Sequence, residues 1–90
     1  MISDEIISRL KCTNCGESRW ELRELDKDNG LLVCVRCNSV YPIIDHAIYL
    51  TPELYQKTIY DFIERYRSAL KEREIYMIRN TIKSRRNGGV

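Results

Sequence analysis

Cys12-Thr13-Asn14-Cys15 and Cys34-Val35-Arg36-Cys37 hold all four cysteines of this 90-residue chain. They form two C-x-x-C hooks with 18 residues between them, the spacing of a four-thiolate metal site. Two residues between ligands let one tight turn aim both sulfurs at a single ion. Gly16 follows the first hook, where such a knuckle takes positive φ, and glycine does so without strain. Asn38 holds the matching place in the second hook, and asparagine tolerates that conformation better than most residues. Zinc is the expected ion. Four protein ligands leave no coordination position for water or substrate, which is the structural kind of site. Rubredoxins hold iron in the same cage, and spacing alone does not separate the two metals. Lys11, Arg19 and Arg36 flank the hooks and offset the negative charge of four thiolates on a divalent ion.

The chain between and around the hooks alternates. Ser3 is placed to cap a short helix carrying Asp4 and Glu5 in its first turn, with Ile6, Ile7 and Leu10 as its apolar side. Ser18 to Leu25 reads as a strand with Trp20 and Leu22 on one buried face. Asp26-Lys27-Asp28-Asn29-Gly30 is turn chemistry, with Asn29-Gly30 as the pair suited to positive φ. Leu31-Leu32-Val33 returns as a second strand into the second hook, so a hairpin links the hooks as in a zinc ribbon. Tyr41-Pro42-Ile43-Ile44 and Ala47-Ile48-Tyr49-Leu50 read as two more short strands around Asp45-His46. Pro42 donates no ladder bond and suggests an edge or a bulge.

Thr51-Pro52-Glu53 carries the signs of a helix start. No Gly or Pro follows before Arg86, and Tyr55, Ile59, Phe62, Tyr66 and Ala69 recur at helical spacing, widened by Ile63 and Leu70. Arg73 breaks the phase, and Ile75, Ile78 and Ile82 restart it on a shifted line. One straight helix from Pro52 to Arg86 would be about 50 Å long at ~1.5 Å per residue. A ribbon of some 50 residues spans about half that. Either the helix bends near Arg73 and folds back, or its surplus apolar stripe meets a second chain. The expected fold is therefore α+β, a zinc ribbon over residues 1–50, a long helix or helical hairpin over 51–87, and a disordered tail over 88–90.

Composition narrows the function. The 43% hydrophobic share suits a globular chain. No apolar run approaches the roughly 18 residues of a membrane span. The acidic start Met1-Ile2-Ser3-Asp4-Glu5 is unlike a signal peptide, so the cytosol, where thiols stay reduced, is the expected compartment. Residues 1–50 carry eight acids and six bases, and residues 51–90 five acids and nine bases, which makes the second half mildly basic. No catalytic set emerges, and no G-x-S-x-G or phosphate-cradling loop occurs. His46, the only histidine, reads as a turn residue sooner than as a general base or fifth ligand. Arg79, Lys83, Arg85 and Arg86 make a basic end suited to nucleic-acid phosphates, or to the negative end of a helix dipole. Tyr55, Tyr60, Tyr66 and Tyr76 are candidates for base stacking, but at helical spacing they read sooner as core or interface residues.

The second hook and its sequel, Cys34-Val35-Arg36-Cys37-Asn38-Ser39-Val40-Tyr41-Pro42-Ile43-Ile44-Asp45, resemble a family of small zinc ribbons. That family includes the activator subunit shared by several tRNA, rRNA and release-factor methyltransferases. The entry Glu5-Ile6-Ile7-Ser8-Arg9-Leu10-Lys11-Cys12 is similar to the same family's short helix, so the resemblance covers about residues 3–52. Thr13 stands where the family has proline, and His46 and Ile48 replace its glycine and proline after the aspartate. The resemblance implies a non-catalytic partner that lays an exposed strand against a class I, S-adenosylmethionine-dependent methyltransferase. Tyr41, Pro42, Ile43 and Ile44 would then lie near the docking edge, with Ile48 and Leu50 beside them. The two other expectations are a nucleic-acid-binding ribbon and a homodimeric scaffold joined through the C-terminal helix.

Overall fold

In a computed structural model the chain is described over residues 4–88, with side chains described through Ile82. Ser3, the expected cap, lies outside the described residues, as do Gly89 and Val90. The elements are α1 (Asp4–Ile7), β1 (Trp20–Glu24), β2 (Gly30–Cys34), β3 (Val40–Ile44), β4 (Ala47–Ile48), a 3₁₀ turn (Pro52–Leu54), α2 (Gln56–Arg65) and α3 (Glu72–Gly88). The four strands make one antiparallel sheet in the order β1-β2-β3-β4. The fold is thus α+β, and its clustered cysteines are compatible with a zinc ribbon.

Register divides the side chains cleanly between two faces. Trp20 pairs with Cys34, Leu22 with Leu32, Leu32 with Tyr41, and Ile43 with Ile48. These line one face, where Ile7 and Leu10 of the N-terminal segment and the four cysteines close a first core. Val33 pairs with Val40 and Leu31 with Pro42, and these lie on the opposite face. There Leu31 and Val40 pack under Ile59, Phe62 and Ile63 of α2, Leu70 of the turn, and Ile78 and Ile82 of α3. The run Gly30-Leu31-Leu32-Val33-Cys34 is apolar throughout because β2 is covered on both faces.

Several expectations change. Neither Asn29 nor Gly30 takes positive φ. Instead Asp26 Oδ1 accepts from the backbone N–H groups of Asp28 and Asn29, both at 2.8 Å, an Asx-type closure of the β1–β2 turn. The β3–β4 turn takes the primed conformation: Asp45 and His46 have φ of 49° and 67°. Thr51 makes no side-chain cap, and Pro52–Leu54 is only a 3₁₀ turn, so the α-helix begins at Gln56. The second of the two C-terminal expected strands is confined to Ala47–Ile48.

The continuous helix is replaced by two. The molecule measures 36 Å along its longest axis, too short for the straight rod of about 50 Å. The chain leaves α2 at Tyr66 and re-enters helix at Glu72, with no Gly or Pro in between. Tertiary bonds make the break. The Tyr66 hydroxyl donates to Asp26 of the β1–β2 turn. Arg23 of β1 donates to the Ala69 carbonyl at 2.7 Å and pairs with Glu74. Glu74 Oε1 also accepts from the Lys71 N–H at 2.8 Å, half of a capping box at the start of α3. α3 then runs through Gly88, one residue beyond the expected end of the helical segment.

Candidate metal centre

The two hooks are copies of one backbone device. The Gly16 N–H donates to the Cys12 carbonyl at 2.8 Å, and the Asn38 N–H to the Cys34 carbonyl at 2.9 Å. The Cys12 N–H donates to the Glu17 carbonyl at 2.7 Å, and the Cys34 N–H to the Ser39 carbonyl at 2.9 Å. Each knuckle closes on a residue in the left-handed region, Gly16 at φ 82° and Asn38 at φ 63°. Both positive-φ expectations therefore hold.

The hairpin brings the knuckles together. The four Sγ atoms lie within 4.8 Å of one another. The Cys12–Cys37 and Cys15–Cys34 sulfurs are 3.6 and 3.5 Å apart. All four are free thiols, with separations well beyond a disulfide's S–S length of about 2.05 Å. A tetrahedral ion with Zn–S bonds of about 2.3 Å sets its sulfurs about 3.8 Å apart. The donor set and its spacing fit such an ion. No second group of metal-ligating side chains stands with them among the described residues.

An outer shell of hydroxyls surrounds the sulfurs. Tyr41 Oη lies 3.3 Å from Cys12 Sγ and 3.1 Å from Thr13 Oγ1. Thr13 spends its own proton on the Leu50 carbonyl at 3.1 Å. The Tyr41 proton is therefore shared between Cys12 Sγ and Thr13. Burial, and then the bond to Cys12, push the Tyr41 phenol up to about 12, so it remains a donor. Ser39 Oγ sits 3.2 Å from Cys37 Sγ. Burial raises the Cys37 thiol, but hydrogen bonds to Asn14 and Ser39 outweigh it and bring it down to about 6. In Cys15 the Glu17 backbone lowers the thiol, yet burial and the three other sulfurs carry it up to about 12. Burial raises Cys34 as well. The environment thus favours the thiolate at Cys37 and the protonated thiol at Cys15 and Cys34. Trp20 closes the shell: it stands edge-on to Tyr41 at 5.7 Å and donates to the Leu10 carbonyl at 3.2 Å.

The other residues singled out from sequence fall as follows. Tyr41, Pro42 and Ile43 are buried in the chain itself. Ile44, Ile48 and Leu50 are half-buried. Tyr41 is an outer-shell group of the sulfur cluster, a role that spacing did not disclose because strand β3 reaches Cys12 only through the sheet. His46 sits in its turn with Nε2 2.7 Å from Asp28 Oδ1, and its N–H donates to the Asp28 carbonyl at 2.9 Å. It lies outside the sulfur cluster and bolts the two sheet turns together. Arg79 is exposed on α3. Lys83, Arg85 and Arg86 lie on the same helix, with side chains outside the described residues. Of the tyrosines, Tyr55, Tyr60 and Tyr76 are exposed, and Tyr66 is half-buried against the core.

No helix among the described residues is long and apolar enough to cross a membrane. Compared with known families, characterised proteins and solved structures, the chain matches no family model, no characterised sequence and no solved fold.

Proposed function

We propose that this protein is a non-catalytic interaction subunit built on a structural zinc site. The observation that carries the reading is the closed sulfur cluster: four thiols within 4.8 Å, drawn from two matching knuckles. Bound there, zinc supplies folding energy, worth roughly 10–16 kcal/mol in finger peptides. Cys12, Cys15, Cys34 and Cys37 hold it, while Tyr41 and Ser39 offer hydrogen bonds that steady the thiolates. All four ligand positions belong to the chain, so the ion offers no place for substrate.

The partner we assign is a class I methyltransferase of the translation apparatus. The resemblance of residues 34–45 to the shared activator subunit supports that assignment. With Tyr41, Pro42 and Ile43 buried, the docking surface moves to what remains accessible on that side of the fold. Ile48 and Leu50 remain there, half-buried beside the sulfur face, while Ile44 packs against the helical core and Leu54 is 71% exposed in the turn that follows.

The test is affinity capture from the source lysate, washed at low and then high salt, with metal content measured on the same sample. Expected are one zinc per chain and a methyltransferase that survives high salt and is lost on Ile48→Asp. Iron at the site would overturn the zinc assignment. Recovery of the protein alone would replace the methyltransferase reading with self-association. Ile43→Asp is a poor probe, because Ile43 is fully buried and its loss would act through folding.

A further inference from the structure

A groove of about 610 Å³ opens where the turn after α2 meets the outer face of α3. Arg67, Glu72, Arg73, Ile75, Tyr76 and Arg79 line it. Three of these six side chains are guanidiniums, and Tyr76 is 63% exposed, an unusual position for a large ring. On α3, Arg73 and Arg79 stand three residues before and after Tyr76, so they flank the ring on one helix face. Arg67 approaches from the turn, held by Glu64 with Nη2 and Oε1 2.6 Å apart. Arg73 has no ion-pair partner among the described residues and Arg79 only the more distant field of Glu64, whereas Arg9, Lys57 and Arg67 each find a helix neighbour. Beyond the groove, Lys83 and Arg86 continue the line at backbone positions seven and ten residues after Tyr76.

We propose that this groove binds single-stranded nucleic acid. Arg73 and Arg79 take backbone phosphates, and one base stacks on Tyr76. Arginines match phosphate in a fork that a point charge does not offer, and they leave the stacking ring unobstructed. Every base has a flat face, so one exposed ring among cations binds single strands without reading sequence. A carboxylate-bearing protein segment would meet the same arginines but has no use for the ring. The paired strands of a duplex hide their base faces from Tyr76. Glu64 competes for Arg67, so the phosphate sharing that guanidinium must displace a carboxylate.

The experiment uses the full zinc-loaded chain and fluorescence anisotropy with a labelled ten-nucleotide oligouridylate, its oligothymidylate counterpart and a duplex of equal length. Both single strands are expected to bind at 50 mM salt and to weaken roughly 20-fold at 200 mM, as about three phosphate contacts require. Tighter binding of the RNA would place a contact on the ribose hydroxyl. Equal binding would assign the affinity to phosphate and base alone. Arg73→Glu and Arg79→Glu should each weaken binding at least 10-fold and flatten the salt slope. Tyr76→Ala should weaken it roughly 5- to 100-fold at an unchanged salt slope, with recovery in Tyr76→Phe. Lys57→Glu, an equal charge change on exposed α2, should leave affinity within about twofold. All these side chains face solvent, so zinc content and circular dichroism should match the parent. Absence of saturable binding at 50 mM salt would overturn the proposal. So would duplex binding as tight as single strand, or a loss in Lys57→Glu equal to that in Arg73→Glu.

Discussion

The two faces of the sheet are held by different physics. On one face the sulfur cluster, Trp20 and Tyr41 stand among Ile7, Leu32 and Ile43, so polarizable donors and aliphatic side chains share one core. On the other, Ile59, Phe62, Ile63, Ile78 and Ile82 form an ordinary aliphatic core against Leu31 and Val40. The second rests on apolar burial, and the first adds to its own apolar burial four clustered thiols that are free to take an ion. Yet β2 and β3 belong to both, with adjacent residues such as Leu31 and Leu32 pointing to opposite sides. A sheet that serves two cores couples them. A chain of this size has little reserve to keep one core when the other is lost.

The largest effect should come from breaking the metal face. Removing zinc with a chelator, or Cys34→Ser, should abolish the ribbon and with it the helical signal, because α2 and α3 then have no formed sheet to pack on. Trp20, the only tryptophan, reports one face by fluorescence, and far-UV circular dichroism reports the other. Retention of full helicity after the Trp20 signal collapses would show the faces to be independent.

Breaking the aliphatic face should cost less. Ile78 is fully buried, so Ile78→Ala is expected to destabilise by about 2–5 kcal/mol in denaturant titration of the zinc form. Bound zinc should remain stoichiometric at low denaturant. Loss of the ion in this variant would place the helices, and not the knuckles, in control of the site.

A smaller effect is expected at the seam. Glu74→Gln removes the charge that faces Arg23 and weakens the start of α3, at about 1–3 kcal/mol. Tyr41→Phe should leave folding of the zinc form nearly intact while lowering zinc affinity about 10- to 100-fold in competition with a chromophoric chelator. An unchanged affinity would remove Tyr41 from the outer shell. Zinc affinity itself should rise with pH, since Cys15 at about 12 and the raised Cys34 release protons when the ion binds. A pH-independent affinity between 6 and 8 (about one decade per proton is expected,) would contradict this.

The smallest effect belongs to the far end of the sheet. The Tyr66 hydroxyl, then the Asn29 side chain and the Asp28 N–H, hold the Asp26 carboxyl well below the usual carboxylate range. A depressed folded value contributes stability that is complete above the unfolded value of 3.8 and fades as pH falls below it. The coupling between Asp26→Asn and Tyr66→Phe in a double-mutant cycle should therefore stay constant from pH 8 down to about 5. A coupling that declines within that window would assign the bond to a different proton.

Local chemistry made some of this fold legible in advance. The hooks announced the sulfur cluster because ligand spacing and positive φ at Gly16 and Asn38 are properties of a few consecutive residues. The β1–β2 hairpin and the apolar stripe of α2 followed from short-range periodicity. Leu31-Leu32-Val33 was legible only as the returning strand, and its burial on both faces came with the helices that cover it.

Non-local partners decided the rest. No residue between Tyr66 and Lys71 is a helix breaker by type, and the phase shift at Arg73 gave only the neighbourhood of the bend. The turn forms because Arg23, distant in sequence, takes the Ala69 carbonyl and the nearby Glu74 takes the Lys71 N–H, backbone groups that a continuing helix would have paired with itself, while distant Asp26 holds the Tyr66 hydroxyl. Tyr41 changed from a docking residue to a companion of Cys12 for the same reason: 29 residues separate them along the chain, and only sheet pairing brings them to 3.3 Å. By itself the sequence determined which atoms can hold the ion, because ligand spacing is local. The tertiary structure decided where the helix turns and which apolar residues remain on the surface, because burial depends on what the sheet brings together.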